Sequence, residues 1–176
     1  MKTLLVALTL ATGMTLGAVA TVQAADAKKP PPAPALQMFD IAHTVIKMEL
    51  AEGVIADAAA DAMLSKAAEI NMKLVGQLNV SEEVSSRGVQ AQRLQIFQFC
   101  NPEDAIKMIE FNTIYAAYMP CRIALVEDNE GKVWLQMLNL DMIIQAYPLP
   151  PELQALALSV NGQMLDILTA GATGEF

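Results

Sequence analysis

Residues 94–134 read LQIFQFCNPEDAIKMIEFNTIYAAYMPCRIALVEDNEGKVW, and the punctuation of this stretch decides the fold. Residues 93–100 alternate, with Leu94, Ile96 and Cys100 on one side and Phe97 and Phe99 on the other. Apolar residues on both sides predict a central strand, or a strand whose open face packs on another subunit. Asn101-Pro102-Glu103-Asp104 follows. Asn is a favoured N-cap, Pro at the first helical position gives up an N–H that has no partner there, and the carboxylates meet the positive end of the helix. A helix is therefore expected to about Asn112, with Ala105, Met108 and Ile109 along one face. Residues 113–120 carry Ile114, Tyr115 and Tyr118 on an irregular return. Residues 121–128 then form a strand with Cys121, Ile123 and Leu125 facing the same way, and Asp128-Asn129-Glu130-Gly131 turns it into a hairpin with residues 132–137.

Upstream, residues 43–50 (HTVIKMEL) alternate as a half-buried strand with Ile46, Met48 and Leu50 on its apolar side. The period changes over residues 55–70, where Ile55, Ala59, Ala62, Met63 and Ile70 line a helical face. A strand at 72–79 and a short helix capped by Ser81 and stopped at Gly88 complete this part. Downstream, Asn139 caps a short helix that Pro148 ends, and Pro151 opens a long one. Its stripe of Leu153, Leu156, Ala157, Val160, Leu165 and Leu168 is expected to run to a stop at Gly171.

The first two dozen residues read as a leader. Lys2 is a short positive region, residues 3–20 are small and apolar, and Val22-Gln23-Ala24 offers the small residues that signal peptidase needs, with the cut before Ala25. The expected location is periplasmic or secreted, with no stable membrane insertion once the leader is gone. Residues 25–37 are a proline-rich linker in extended polyproline II form. The remaining organisation is a domain at 38–147 and a helical extension at 148–176. Removal of residues 1–24 leaves ten basic and nineteen acidic side chains, a net charge of −9. That balance argues against nucleic acid and anionic lipid, which reward positive charge.

FCNPEDA, YMPCRIALVED and EGKVWL, in this order and spacing, resemble the bacterial domain-of-unknown-function 302 family over residues 43–140. The resemblance implies an α+β fold, a mainly antiparallel sheet with helices packed on one face, and a homodimer. It implies no reaction. Many relatives carry glycine where this chain has Cys100, which assigns the cysteine pair to an exported branch, not to the family's common function. The C-terminal helix from Pro151 falls outside the shared pattern.

Cys100 and Cys121 are the only cysteines. In an oxidising compartment the default for such a pair is one disulfide. If the strands at 94–100 and 121–127 are antiparallel, the two cysteines reach the same edge of the sheet, and closing the loop would stabilise by about 3 kcal/mol. Two alternatives stay open. Cys100 precedes a helix N-terminus, which would lower its pKa and suit redox exchange or sulfur handling. Alternatively, Cys100, Cys121, Met119 and His43 could form a soft site for Cu(I). His43 is the only histidine, which excludes the common multi-histidine zinc sets. There is no glycine-rich phosphate loop and no nucleophile elbow, so no catalytic residue and no cofactor is assigned. The leaning is to a non-enzymatic module that binds a protein or small molecule. Arg122, Tyr115, Tyr118 and Trp134 are its candidate surface.

Overall fold

The computed structural model describes residues 41–175. The leader and linker expected at 1–37 lie outside the described residues. Five strands form one sheet: β1 (Val45–Glu49), β2 (Lys73–Asn79), β3 (Leu94–Cys100), β4 (Cys121–Glu127) and β5 (Val133–Leu138). Their order is β1-β5-β4-β3-β2, and every neighbouring pair is antiparallel. The helices are α1 (Ala56–Glu69), α2 (Val80–Ser86), α3 (Pro102–Phe111), α4 (Leu140–Ala146) and α5 (Pro151–Thr173). Two 3-10 turns occupy Ile41–Thr44 and Thr113–Tyr118. The α+β class is as the sequence implied.

Strand β3 is internal, between β2 and β4, and its two faces differ. Phe97 and Phe99 are fully buried, while Leu94, Ile96 and Cys100 on the alternate positions are half-buried. The buried side meets Ile123 and Leu125 of β4, Leu135 and Met137 of β5, and Ala59 and Met63 of α1. The second half of α5 adds Met164, Ile167 and Leu168 to the same core. Each such side chain withdrawn from water stabilises by about 1.5–3 kcal/mol. The helices therefore cover one face of the sheet.

Several local signals fold as read. Asn101 caps α3 by accepting a hydrogen bond from the Glu103 amide at 3.2 Å, with Pro102 behind it. Asn139 caps α4 the same way, through the Met142 amide at 3.3 Å. In the β4–β5 hairpin, Asp128 Oδ1 accepts from the Glu130 and Lys132 amides at 2.9 and 3.0 Å, and Gly131 takes a φ of +79°. The other carboxylate oxygen accepts from Trp134 Nε1 at 2.7 Å. That bond, chiefly, holds the Asp128 carboxyl below its ordinary value. One aspartate thus organises both the turn and the strand leaving it.

Others fold differently. His43 lies in the first 3-10 turn, not in β1, because Thr44 Oγ1 donates back to the Ile41 carbonyl at 2.7 Å and delays the strand by two residues. Ser81 does not cap α2; Asn79 occupies that position. The Ser81 hydroxyl instead bridges to the backbone of Leu94, accepting from its amide at 3.1 Å and donating to its carbonyl at 3.4 Å. Helix α5 passes through Gly171 and ends at Gly174, whose φ is +71°. Gly171 serves packing: a Cβ there would lie 2.5 Å from Met63 Cγ and 2.7 Å from Leu135 Cδ1.

Candidate functional site

The end of the sheet where β3 stops and β4 starts is not filled by side chains. A cavity of about 120 Å³ lies there, roofed by the helices and closed below by Phe99. Helix α3 contributes Ala105 and Met108, the 3-10 turn contributes Tyr115 and Tyr118, and α4 contributes Ile143 and Ile144. The first half of α5 adds Leu156, Ala157 and Val160. The apolar stripe read along α5 is therefore divided: its first part faces the cavity and its later part enters the core. Polar groups are few, chiefly Asn101, Asp104 and the tyrosine hydroxyls. Tyr118 and Tyr147 are 37% and 59% exposed and stand at the mouth. Helices α4 and α5 are tied by Asn161, which is buried and donates from Nδ2 to Asp141 at 2.8 Å.

Both cysteines reach this wall, together with Met119. The disulfide expected between them is not formed; both thiols are free. Antiparallel pairing does bring them to one end of the sheet, but the register places Phe99, not Cys100, opposite Cys121. Successive side chains in a strand point to opposite faces. Cys100 lies one position past the pair, so the two thiols do not face each other across the ladder. The expected lowering of the Cys100 pKa is also reversed. Burial, with the Asp104 carboxylate adding, raises it. Cys121 is pushed up to about 11 by burial and by the nearby Cys100, against the weaker pull of Arg122.

This sets a pH dependence. The folded Cys121 thiol titrates above its ordinary 9.0, so the stability it confers is complete below about pH 9 and is lost as pH rises through about 11. A shift of this size corresponds to about 3 kcal/mol. Chemical unfolding at successive pH values should show that alkaline loss, and Cys121→Val should remove most of it. An unchanged profile in the variant would refute the buried thiol as its source.

The other residues singled out in the sequence scatter. Tyr115 and Tyr118 line the cavity, but Trp134 lies at the hairpin end of β5, with Lys47 Nζ 3.6 Å above its ring. Arg122 is exposed on the helix-free side of β4, opposite Gln98, and makes no ion pair among the described residues. His43 is exposed and takes no part in the cavity wall, so the four-residue soft set is reduced to three. Among the described residues, no group of three or more His, Cys, Asp or Glu could hold a metal ion. The α4 and α5 residues of the wall went unnoticed as a site. The one signal available was that Leu140, Ile143, Ile144 and Tyr147 make a short helix more apolar than a single packed face needs.

A one-sided antiparallel sheet covered by helices, with an apolar cavity at one end, defines a small α+β architecture. Within that class, the model of the domain of unknown function DUF302 matches residues 46–171, and the chain belongs to this family. The match runs through most of α5, beyond the limit at Leu140 that the sequence motifs had suggested. The fold is similar to the crystal structure of an uncharacterized conserved DUF302 protein from Bacillus stearothermophilus. The TM-score is 0.60 at 16% identity, covering 72% of this chain and 97% of that one. No curated protein matches. Among the described residues, no helix is long and apolar enough to cross a membrane.

Proposed function

We propose that this protein is an exported, non-enzymatic binding module that holds a small apolar molecule in the cavity between the sheet end and helices α3, α4 and α5. The supporting observation is the cavity itself: about 120 Å³, walled by aliphatic, aromatic and sulfur side chains, with few polar groups. An engineered cavity of roughly 150 Å³ with such walls binds benzene. The matching ligand is therefore of the size of a single substituted ring or a short alkyl chain. Export rests on the leader, and N-terminal sequencing of the secreted protein should begin at Ala25. Fluorine NMR of fluorobenzene should show saturable broadening with the wild type. Val160→Phe should abolish it while circular dichroism stays unchanged. Equal broadening in both proteins would refute the cavity as the site. Thiol exchange is the weaker alternative, because raised thiols hold little reactive thiolate at neutral pH.

The uncovered sheet face supports a second reading, a homodimer. Leu94, Ile96, Ala124, Val126 and Trp134 occupy the strand positions alternate to the core and are half-buried with no helix above them. A second copy would cover this patch through a self-complementary contact. Light scattering on the eluted protein should give twice the chain mass, and Ile96→Lys should halve it without altering fluorobenzene binding. A monomeric wild type at high micromolar concentration would exclude the dimer.

A further inference from the structure

Of the residues that line the cavity, Asp104 alone carries a charge. It stands in the first turn of α3, and its side chain is only 21% exposed. We propose that the cavity takes a small primary amine, its ammonium group held by the Asp104 carboxylate and its single ring or short alkyl chain filling the apolar wall beyond. The proposal rests on the reading of the cavity as a binding site and adds the chemical class of the occupant.

The ordinary duties of Asp104 leave this role open. Glu103 beside it also meets the positive end of α3, so the helix does not depend on Asp104 for that interaction. Lys107 Nζ approaches Oδ1 at 3.2 Å, but the lysine side chain is 56% exposed, and a solvent-facing pair of this kind contributes little. Among the described residues, Oδ2 accepts no hydrogen bond. The negative charge also reaches the cavity wall, because it adds to the upward push on the Cys100 thiol that lines the same space.

Charge and shape together select the ligand. An ionised carboxylate only accepts hydrogen bonds, so the head group must donate. A cationic donor is the stronger partner, since a charge-assisted hydrogen bond is roughly twice as strong as a neutral one. No Lys, Arg or His lines the cavity, and Arg122 lies on the helix-free side of β4, so nothing on the wall compensates an anion. The wall is also divided. Asn101 and Asp104 lie where β3 passes into α3, whereas Ile143 and Ile144 of α4 and Leu156 and Val160 of α5 offer apolar surface alone. A few polar groups in an apolar pocket fix the orientation of what binds there. The head therefore points to the start of α3 and the apolar body to α4 and α5.

The test is fluorine NMR titration with probes of one shape and different heads: 4-fluorobenzylamine, which is protonated at neutral pH, neutral 4-fluorobenzyl alcohol and anionic 4-fluorobenzoate. The wild type should bind the amine about tenfold more tightly than the alcohol and should not bind the benzoate. Asp104→Asn should bring the amine down to the affinity of the alcohol and leave the alcohol and fluorobenzene unchanged. Equal binding of amine and alcohol by the wild type, binding of the benzoate as tight as that of the amine, or an undiminished amine preference in Asp104→Asn would overturn the proposal. The three probes compared on the wild type decide the matter even if the asparagine variant misfolds. Lys107→Gln frees Oδ1 and should strengthen the amine by about twofold. A loss of amine binding in that variant would overturn the assignment to Asp104. Fluorobenzene bound by the wild type without any amine preference sinks this inference alone, whereas failure of every probe including fluorobenzene sinks the cavity reading beneath it.

Discussion

Phe99→Ala should lower the unfolding free energy by about 3–5 kcal/mol, the cost of emptying a large aromatic site in a packed core. Phe99 has no exposed surface, and it forms both the floor of the cavity and the centre of the sheet's buried face. Its loss removes dispersion contacts with the core and merges the new void with the existing one. Fluorobenzene should then bind more tightly even as the protein weakens, because the enlarged cavity stays apolar. Phe111→Ala supplies the comparison. Phe111 ends α3 and is 49% exposed, so its removal should cost under about 1 kcal/mol. Urea unfolding of the two variants measures the difference. Equal losses would mean that the buried face of β3 is wrongly assigned.

Two glycines of α5 make an opposed pair. Gly162→Ala should stabilise by up to about 1 kcal/mol, since its position is helical, nothing lies within 4 Å of the added carbon, and alanine is the better helix former. Gly171→Ala should destabilise by about 1–2 kcal/mol despite the same gain in propensity. There the added carbon meets Met63 and Leu135 from two other elements and the Ala59 carbonyl at 3.2 Å. A flexible methionine can move aside, but the α1 backbone and a fully buried leucine leave little room. Gly171→Val should cost more again. If both alanine variants stabilise, α5 does not press on α1 as closely as described.

The Gly171 result shows where reading the sequence reached its limit. A glycine near the end of an apolar helical stripe looks like a stop, because glycine readily takes the left-handed conformation at a helix end. Gly174 plays that part three residues later. Whether a glycine ends a helix or admits a neighbour depends on what crosses the helix there, and α1 and β5 come from distant segments. Ser81 departs from its local signal for the same kind of reason. A serine before two glutamates is a good local cap, yet its hydroxyl is claimed by Leu94, thirteen residues on.

The cysteines carry the same lesson into the site. Antiparallel pairing and a shared sheet end could be reasoned from the length of the intervening helix and return. The pairing of Phe99 with Cys121 could not, and one residue of register separates a bridge from two free thiols at a cavity wall. Register is set by which side chains the helices above can bury, which is a property of the assembled core.

Local sequence is enough for the alternation that makes β3 and β4, the Asn101 and Asn139 caps, the Asp128 hairpin and the family signature around residues 94–134. These rest on contacts within a few residues and on periods of two and 3.6, so local chemistry suffices. Tertiary structure alone decided that this stretch closes on a cavity, that the first half of α5 lines it, and that Trp134 and Arg122 lie apart from it. Those outcomes depend on how the roofing helices α3, α4 and α5 meet the end of one sheet, and distances between remote segments are not written in any short run of residues.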